Sequence, residues 1–376
     1  MILSGSSTPP TSTAIATRPI FRNAATAPGL TSAGTAPAAP TRPINSVSRP
    51  PAATTGVTAS PLVALVEPID VLKAAFAGEP GIQAGLERLK DSKALEDLDA
   101  SGKSLLTHLI ELIDLKTSAV VGMPAGKDLV RLLVTDLADP SQIYQGIGTT
   151  TCTVASMQSI LASAQPAEYA RLAGQLARTG KADMIGGGRL EILPADFTAK
   201  EGRNLLADAF QESLFRLGSA LGGTASSGVA QFGAVALKAA RKVFAGEIPG
   251  GLTIEQYSRL HEMLTGYKRV LVEPDASVWN QLIMNRVDEK GREKTMNATA
   301  FLAPEPGGTI GHAVVIERLS QMPDGSLMAH VRDPMSPGVK QIPLADLQAR
   351  VQLLEMDAPT VSSSKTYLDQ VARRQV

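Results

Sequence analysis

The spacing of apolar residues changes once along this chain of 376 residues, and that change limits the folds open to it. Up to about Leu264 apolar residues recur at helical intervals. Leu62, Leu65, Val66 and Ile69 form one such set, Leu105, His108, Leu109, Leu112 and Ile113 a second, and Leu129, Leu132, Leu133 and Leu137 a third. Pro166 opens a further helix carrying Tyr169, Leu172 and Leu176, and Gly186-Gly187-Gly188 breaks the chain before a short strand at 190–193. Helices are expected again over 204–217 and 253–264, the latter with Thr253 as its cap and Gln256 as capping-box partner. From Lys268 the segments 269–272, 279–287, 298–302, 312–319, 327–332 and 351–354 read as strands. Turns fall at Asp288-Glu289-Lys290-Gly291 and at Pro323-Asp324-Gly325. Helices first and strands last predict an α+β architecture.

Residues 1–60 are built mainly of Ser, Thr, Ala and Pro, with Phe21 their one aromatic. Such a segment buries too little apolar area to offset its ordering entropy, and a disordered tail is expected. It holds Arg18, Arg22, Arg42 and Arg49 and no acid, so it carries +4 and the rest of the neutral chain −4. Its Ser/Thr richness without acids resembles the N-terminal export signals of bacterial type III effectors, although organellar transit peptides share that composition. The helical pattern of 61–138 reads as a subdomain of three to five helices, and 357–376 as a C-terminal tail.

Several functions are excluded. No Lys/Arg cluster is interleaved with aromatics, so nucleic acid is not an expected partner. One cysteine permits no internal disulfide, and with four histidines it supplies no thiolate zinc set, so no metal or other cofactor is expected. The longest uncharged stretch, 217–237, is too rich in Gly, Ala, Ser and Thr for a bilayer span, and no stable membrane insertion is expected. Asp97-Leu98-Asp99 begins like a calcium loop, but His108 stands where the bidentate Glu belongs. Gly122 to Lys127 has the wrong spacing for a phosphate loop.

The single cysteine carries the main functional signal. In Gln145-Gly146-Ile147-Gly148-Thr149-Thr150-Thr151-Cys152 a Gly/Thr turn runs directly into the apolar face Val154, Met157, Ile160 and Leu161. That places the thiol at a helix N-terminus, where unpaired amides and the helix dipole favour a thiolate. Downstream, His312 opens an apolar strand and Asp333 closes its hairpin partner, so both lie at the open end of one hairpin. Alternation sets Leu327, Ala329, Val331 and Asp333 on one face and His330 and Arg332 on the other. A carboxylate in that position needs a donor, and an imidazole N–H supplies one while fixing the ring tautomer. The alternative is a small buried cysteine with no chemistry. His108 reads as a satisfied core residue, and His261-Glu262 as a solvated or core-edge pair. Tyr267 and Trp279 read as core residues, with lining of a substrate groove the less favoured role.

Cysteine at a helix start, histidine at a strand start in Gly311-His312-Ala313-Val314-Val315-Ile316 and aspartate in Val331-Arg332-Asp333-Pro334 resemble the papain-like cysteine peptidase superfamily. The two windows are especially similar to its bacteriocin-processing branch and related effector cysteine proteases. In order and spacing the likeness spans 139–354, and in close sequence only those windows. It implies a papain-like catalytic domain over 139–356, with Cys152 as nucleophile, His312 as general base and acid, and Asp333 as its orienting partner. It also implies an oxyanion donor from a glutamine ahead of the cysteine. Gln145 matches, with Gln142 and Gln158 as substitutes, whereas Thr153 stands where an aromatic often follows the nucleophile.

The implied activity is hydrolysis of protein or peptide amides by a cysteine protease, with secretion through a type III system to act on a host protein as one expected location and the bacterial cytoplasm as the other. Deamidation or transglutaminase-type transfer on the same triad is the first alternative. A non-catalytic interaction protein with an inert Cys152 is the second.

Overall fold

The computed structural model describes residues 67–146, 149, 151–197, 202–221, 252, 254–272, 274–303 and 311–357. The expected tails over 1–60 and beyond Asp357, and the expected cap Thr253, lie outside these residues.

Four helices come first: α1 (Pro68–Ala75), α2 (Pro80–Asp91), α3 (Leu105–Ile113) and α4 (Gly126–Ala138). Proline at the first helical position starts α1 and α2, where its missing N–H costs nothing. Ser104 caps α3 by accepting from the Thr107 amide at 3.2 Å. Then follow α5 (Cys152–Ala164), α6 (Pro166–Thr179), a hairpin of β1 (Lys181–Asp183) and β2 (Arg189–Glu191), α7 (Leu205–Ala220) and α8 (Ile254–Thr265). Asn204 caps α7 through the Ala207 amide at 2.7 Å. One apolar cluster runs from Ile69 in α1 to Leu264 in α8. Within the expected 61–138 subdomain, the described helices α1–α4 therefore share their core with the helices that follow.

A six-stranded, wholly antiparallel sheet closes the chain, in the order β3 (Arg269–Val272), β8 (Val351–Asp357), β4 (Ala298–Leu302), β5 (His312–Gln321), β6 (Leu327–Arg332) and β7 (Val339–Pro343). Ala313 and Val315 are buried beside α5. Residues of the opposite parity, Val314 and Ile316, join a second apolar cluster with α9 (Ala276–Met284) and α10 (Leu344–Gln348). Both faces of the central strands are thus covered, and the alternation expected for β6 holds. Ala329 and Val331 enter the second cluster, while Arg332 turns to α5.

Three expectations need correction. The segment 279–287 is not a strand, because α9 occupies most of it. The Asp275 carboxylate caps that helix through the Val278 amide at 2.9 Å, and Val278, Trp279 and Leu282 bury one side. A short apolar run of this kind fits either period, and here the cap decides. His261 is not at a core edge with Glu262. It is fully buried, and its Nδ1 lies 2.7 Å from Glu355 on β8. Of Trp279 and Tyr267, the tryptophan belongs to the second core but the tyrosine is exposed.

Helix α5 is buried along almost its whole length, from Thr153 to Ala162. Leu161→Ala removes a fully buried side chain from the cluster that seats it, and is expected to cost about 2–5 kcal/mol of unfolding free energy. Urea unfolding monitored by circular dichroism measures this directly.

Candidate active site

Cys152 is the first residue of α5 and is partly exposed. Thr151, its N-cap, makes no side-chain cap bond, and the first turn holds no acid that would oppose a thiolate. The thiol's ionisation is governed by competing effects. Burial raises its pKa, but the hydrogen bond and charge of His312, with the amides of Ala313 and Thr153, outweigh it and bring it below the ordinary value.

His312 begins β5, and its Nε2 lies 2.6 Å from Asp333 Oδ1. With Nε2 committed to the carboxylate, Nδ1 is the ring nitrogen left for the Cys152 sulfur. Burial works against the imidazolium. The bonds to Asp333 and Cys152 and their negative charges prevail, and the pKa rises to about 9. Asp333 follows the last residue of β6. Against the cost of burial, its bonds to His312, to Lys340 and to the Met335 amide hold the carboxyl far below the usual carboxylate range. The strand register sets this meeting. Val315 pairs with Arg332 beyond an irregularity between Ile316 and Arg318, which brings the start of β5 level with the end of β6.

Two backbone bonds tie the loop before Cys152 to the loop after Asp333. The Gln145 amide donates to the Pro334 carbonyl at 2.9 Å, and the Gly338 amide to the Ser141 carbonyl at 2.9 Å. Gln145 itself is buried, and its Nε2 donates to the Thr149 carbonyl at 3.2 Å. Ile147, Gly148 and Thr150 of this turn lie outside the described residues. Of the substitutes, Gln142 bonds Asp139 at the surface. Gln158 faces inward, donating to the Tyr169 hydroxyl at 2.7 Å. The structure therefore brings Cys152, His312 and Asp333 together, fixes Gln145 in the adjoining loop, and takes Gln158 elsewhere.

Two contributors escaped the sequence reading. Lys340 on β7 lies 2.6 Å from Asp333 Oδ2. Arg203, whose side chain is fully buried, gives Nη1 to the Gln145 carbonyl at 3.1 Å, to Thr151 Oγ1 at 3.3 Å and to Gln211 Oε1 at 3.1 Å. Its other nitrogens bond Asp208 and Glu212 of α7. From Gln211 a buried chain continues through Gln158 and Tyr169 to Asp136 on α4. Burial pushes Asp136 up to about 6, against the opposing bonds from Tyr169 and Asn204. A signal existed in the acid spacing of Asp208 and Glu212 on one helix face, but their partner's reach to Gln145 spans 58 residues of sequence.

Among the described residues no group of three or more His, Cys, Asp or Glu is placed to hold a metal ion. No described helix is long and apolar enough to cross a membrane. The chain matches no family model and no curated protein sequence.

Arg203→Met leaves Asp208 and the Gln145 loop without their buried donor. It is expected to lower stability by about 3–5 kcal/mol, read as a shift in the denaturant midpoint.

Proposed function

We propose that this protein is a papain-like thiol hydrolase of protein or peptide amides, acting through Cys152, His312 and Asp333. One observation carries the reading: His312 interacts with the sole cysteine at the start of a buried helix while its Nε2 is held 2.6 Å from Asp333. A chance core histidine has no reason to link a helix-start thiol to a carboxylate.

The ground state is a thiolate–imidazolium pair. The Cys152 sulfur attacks the amide carbonyl carbon, and the C=O pair moves onto oxygen as the S–C bond forms. The amide of Cys152, with Gln145 in the role of side-chain donor, receives that oxyanion. As the intermediate collapses the C–N bond breaks, and His312 delivers its proton to the departing nitrogen. Neutral His312 then takes a proton from water, whose oxygen attacks the thioester. The carboxylic acid leaves and the thiolate returns. Asp333 keeps the ring oriented and stabilises its charged form throughout. With ammonia as the leaving group the same steps are a deamidation. With an amine in place of water they are a transfer.

The acid-free Ser/Thr/Pro segment 1–60 supports a secreted bacterial effector, exported by a type III system toward a host protein.

The test is incubation of the full chain with a proteome-derived peptide library, read by mass spectrometry for new termini and for amide-to-acid conversion. Cys152→Ala and His312→Ala serve as controls. Turnover lost in both variants, by 10²-fold or more on the scale of roughly 10²–10⁴ for a general base, is the expected result. Equal signals in wild type and Cys152→Ala would overturn the proposal.

The pH profile follows from the two shifts. Activity rises as Cys152 ionises, below the ordinary thiol range, and falls as pH passes about 9, where His312 loses the proton owed to the leaving nitrogen. A profile that rises monotonically through pH 10 contradicts the pair (about one unit above the His312 limit).

A further inference from the structure

The two carboxylate oxygens of Asp333 have different partners. Oδ1 takes the His312 Nε2 at 2.6 Å and the Met335 amide at 3.0 Å, and Oδ2 takes the Lys340 ammonium at 2.6 Å. Lys340 sits on β7, the edge strand, opposite Val331 of β6. Its side chain is about half exposed, at 48%, whereas those of Asp333 and His312 are 16% and 19% exposed. The charged and titratable groups facing the imidazole are Cys152 from α5 and Asp333 beyond β6, with Lys340 on the far side of the carboxylate. Tyr257 of α8 is close enough to feel the Cys152 charge.

We infer that Lys340 is a positioning residue that shares the Asp333 carboxylate with His312 and so sets how tightly His312 holds its proton. The inference rests on the Cys–His–Asp reading above and adds to it a regulator of basicity. A carboxylate that donates electron density to two cations through separate oxygens polarises each less than it would alone. The ammonium also places a positive charge near the imidazolium, and like charges disfavour one another. Both effects lower the proton affinity of His312 from what Asp333 and Cys152 alone would impose. Orientation does not depend on Lys340 alone, because the Met335 amide and His312 itself still hold Oδ1 when the ammonium is removed.

The structural cost of removing it is small. An exposed Lys on an edge strand contributes little to stability, so Lys340→Met and Lys340→Arg are expected to fold like the wild type. The experiment follows the His312 imidazole in full-length protein by NMR titration, with the signal assigned by its loss in His312→Ala. The chain has four histidines, so the spectrum is tractable.

In the wild type the His312 midpoint is expected near 9. Lys340→Met is expected to raise it by about half a pH unit, with an unchanged thermal midpoint, and Lys340→Arg to leave it in place. A His312 midpoint in Lys340→Met that is unmoved or lower overturns the inference while leaving the Cys–His–Asp reading intact. A wild-type His312 that titrates in the ordinary imidazole range overturns that reading itself, and the inference with it.

Discussion

Everything at the site depends on α5 being held at one height against the ends of β5 and β6. Arg332 supplies much of that constraint. It is the last residue of β6, and its guanidinium crosses to α5, donating to the Ser159 carbonyl at 2.9 Å and to Asn297. Asn297 in turn accepts from Ser163 near the end of the helix at 3.0 Å. A buried guanidinium is costly unless its donors are used, and that cost is reflected in a pKa lowered by desolvation to about 10. The arrangement is specific because an axial slip of α5 would strand that charge. Ser156 adds a weaker link to the Ala313 carbonyl at 3.4 Å, one residue beyond His312. Cys152, His312 and Asp333 therefore meet because one helix and one hairpin have a fixed register.

The second constraint lies behind Cys152. Helix α5 has no charged residue, yet its N-terminus is ringed by polar groups: Thr151, Gln145, Arg203 and Gln211. They are buried together and hydrogen-bond one another, and among the described residues only the Gln145 Oε1 of this set has no partner. A loop made of glycine and threonine has little intrinsic reason to hold one conformation. Here the Gln145 carbonyl receives the Thr149 hydroxyl at 2.7 Å, the Thr151 hydroxyl and the guanidinium of Arg203, so these residues are tied to one another and, through Arg203, to Asp208 and Glu212 of α7.

Much of this is legible in the amino-acid sequence alone. The helix start at Cys152, the strand start at His312 and the strand end ahead of Asp333 follow from local signals: a Gly/Thr turn, an apolar alternation, a proline stop. The sheet segments 298–302 and 327–332 are legible as well, and the two sides read for 327–332 are those that Ala329 and Val331, against Arg332, take in β6. What escaped has a common cause. Strand β7, with Val339-Lys340-Gln341-Ile342-Pro343, is an exposed edge whose side chains carry no apolar period, so neither the strand nor the Lys340 contact announces itself. The pairing of His261 with Glu355 joins residues 94 positions apart, and Arg203 reaches Gln145 across 58. Side chains that meet only through tertiary packing leave no spacing to read.

The claim that binds fold to chemistry is that His312 ionises Cys152. Its most direct measurement is the rate of iodoacetamide alkylation of the native protein as a function of pH, with His312→Ala alongside. The thiol is expected to react well below pH 8 in the wild type, given a free-thiol pKa of about 8.5, and to move back toward the free value in the variant. A thiol that titrates alike in both proteins, or that reacts only once the chain unfolds, would contradict it.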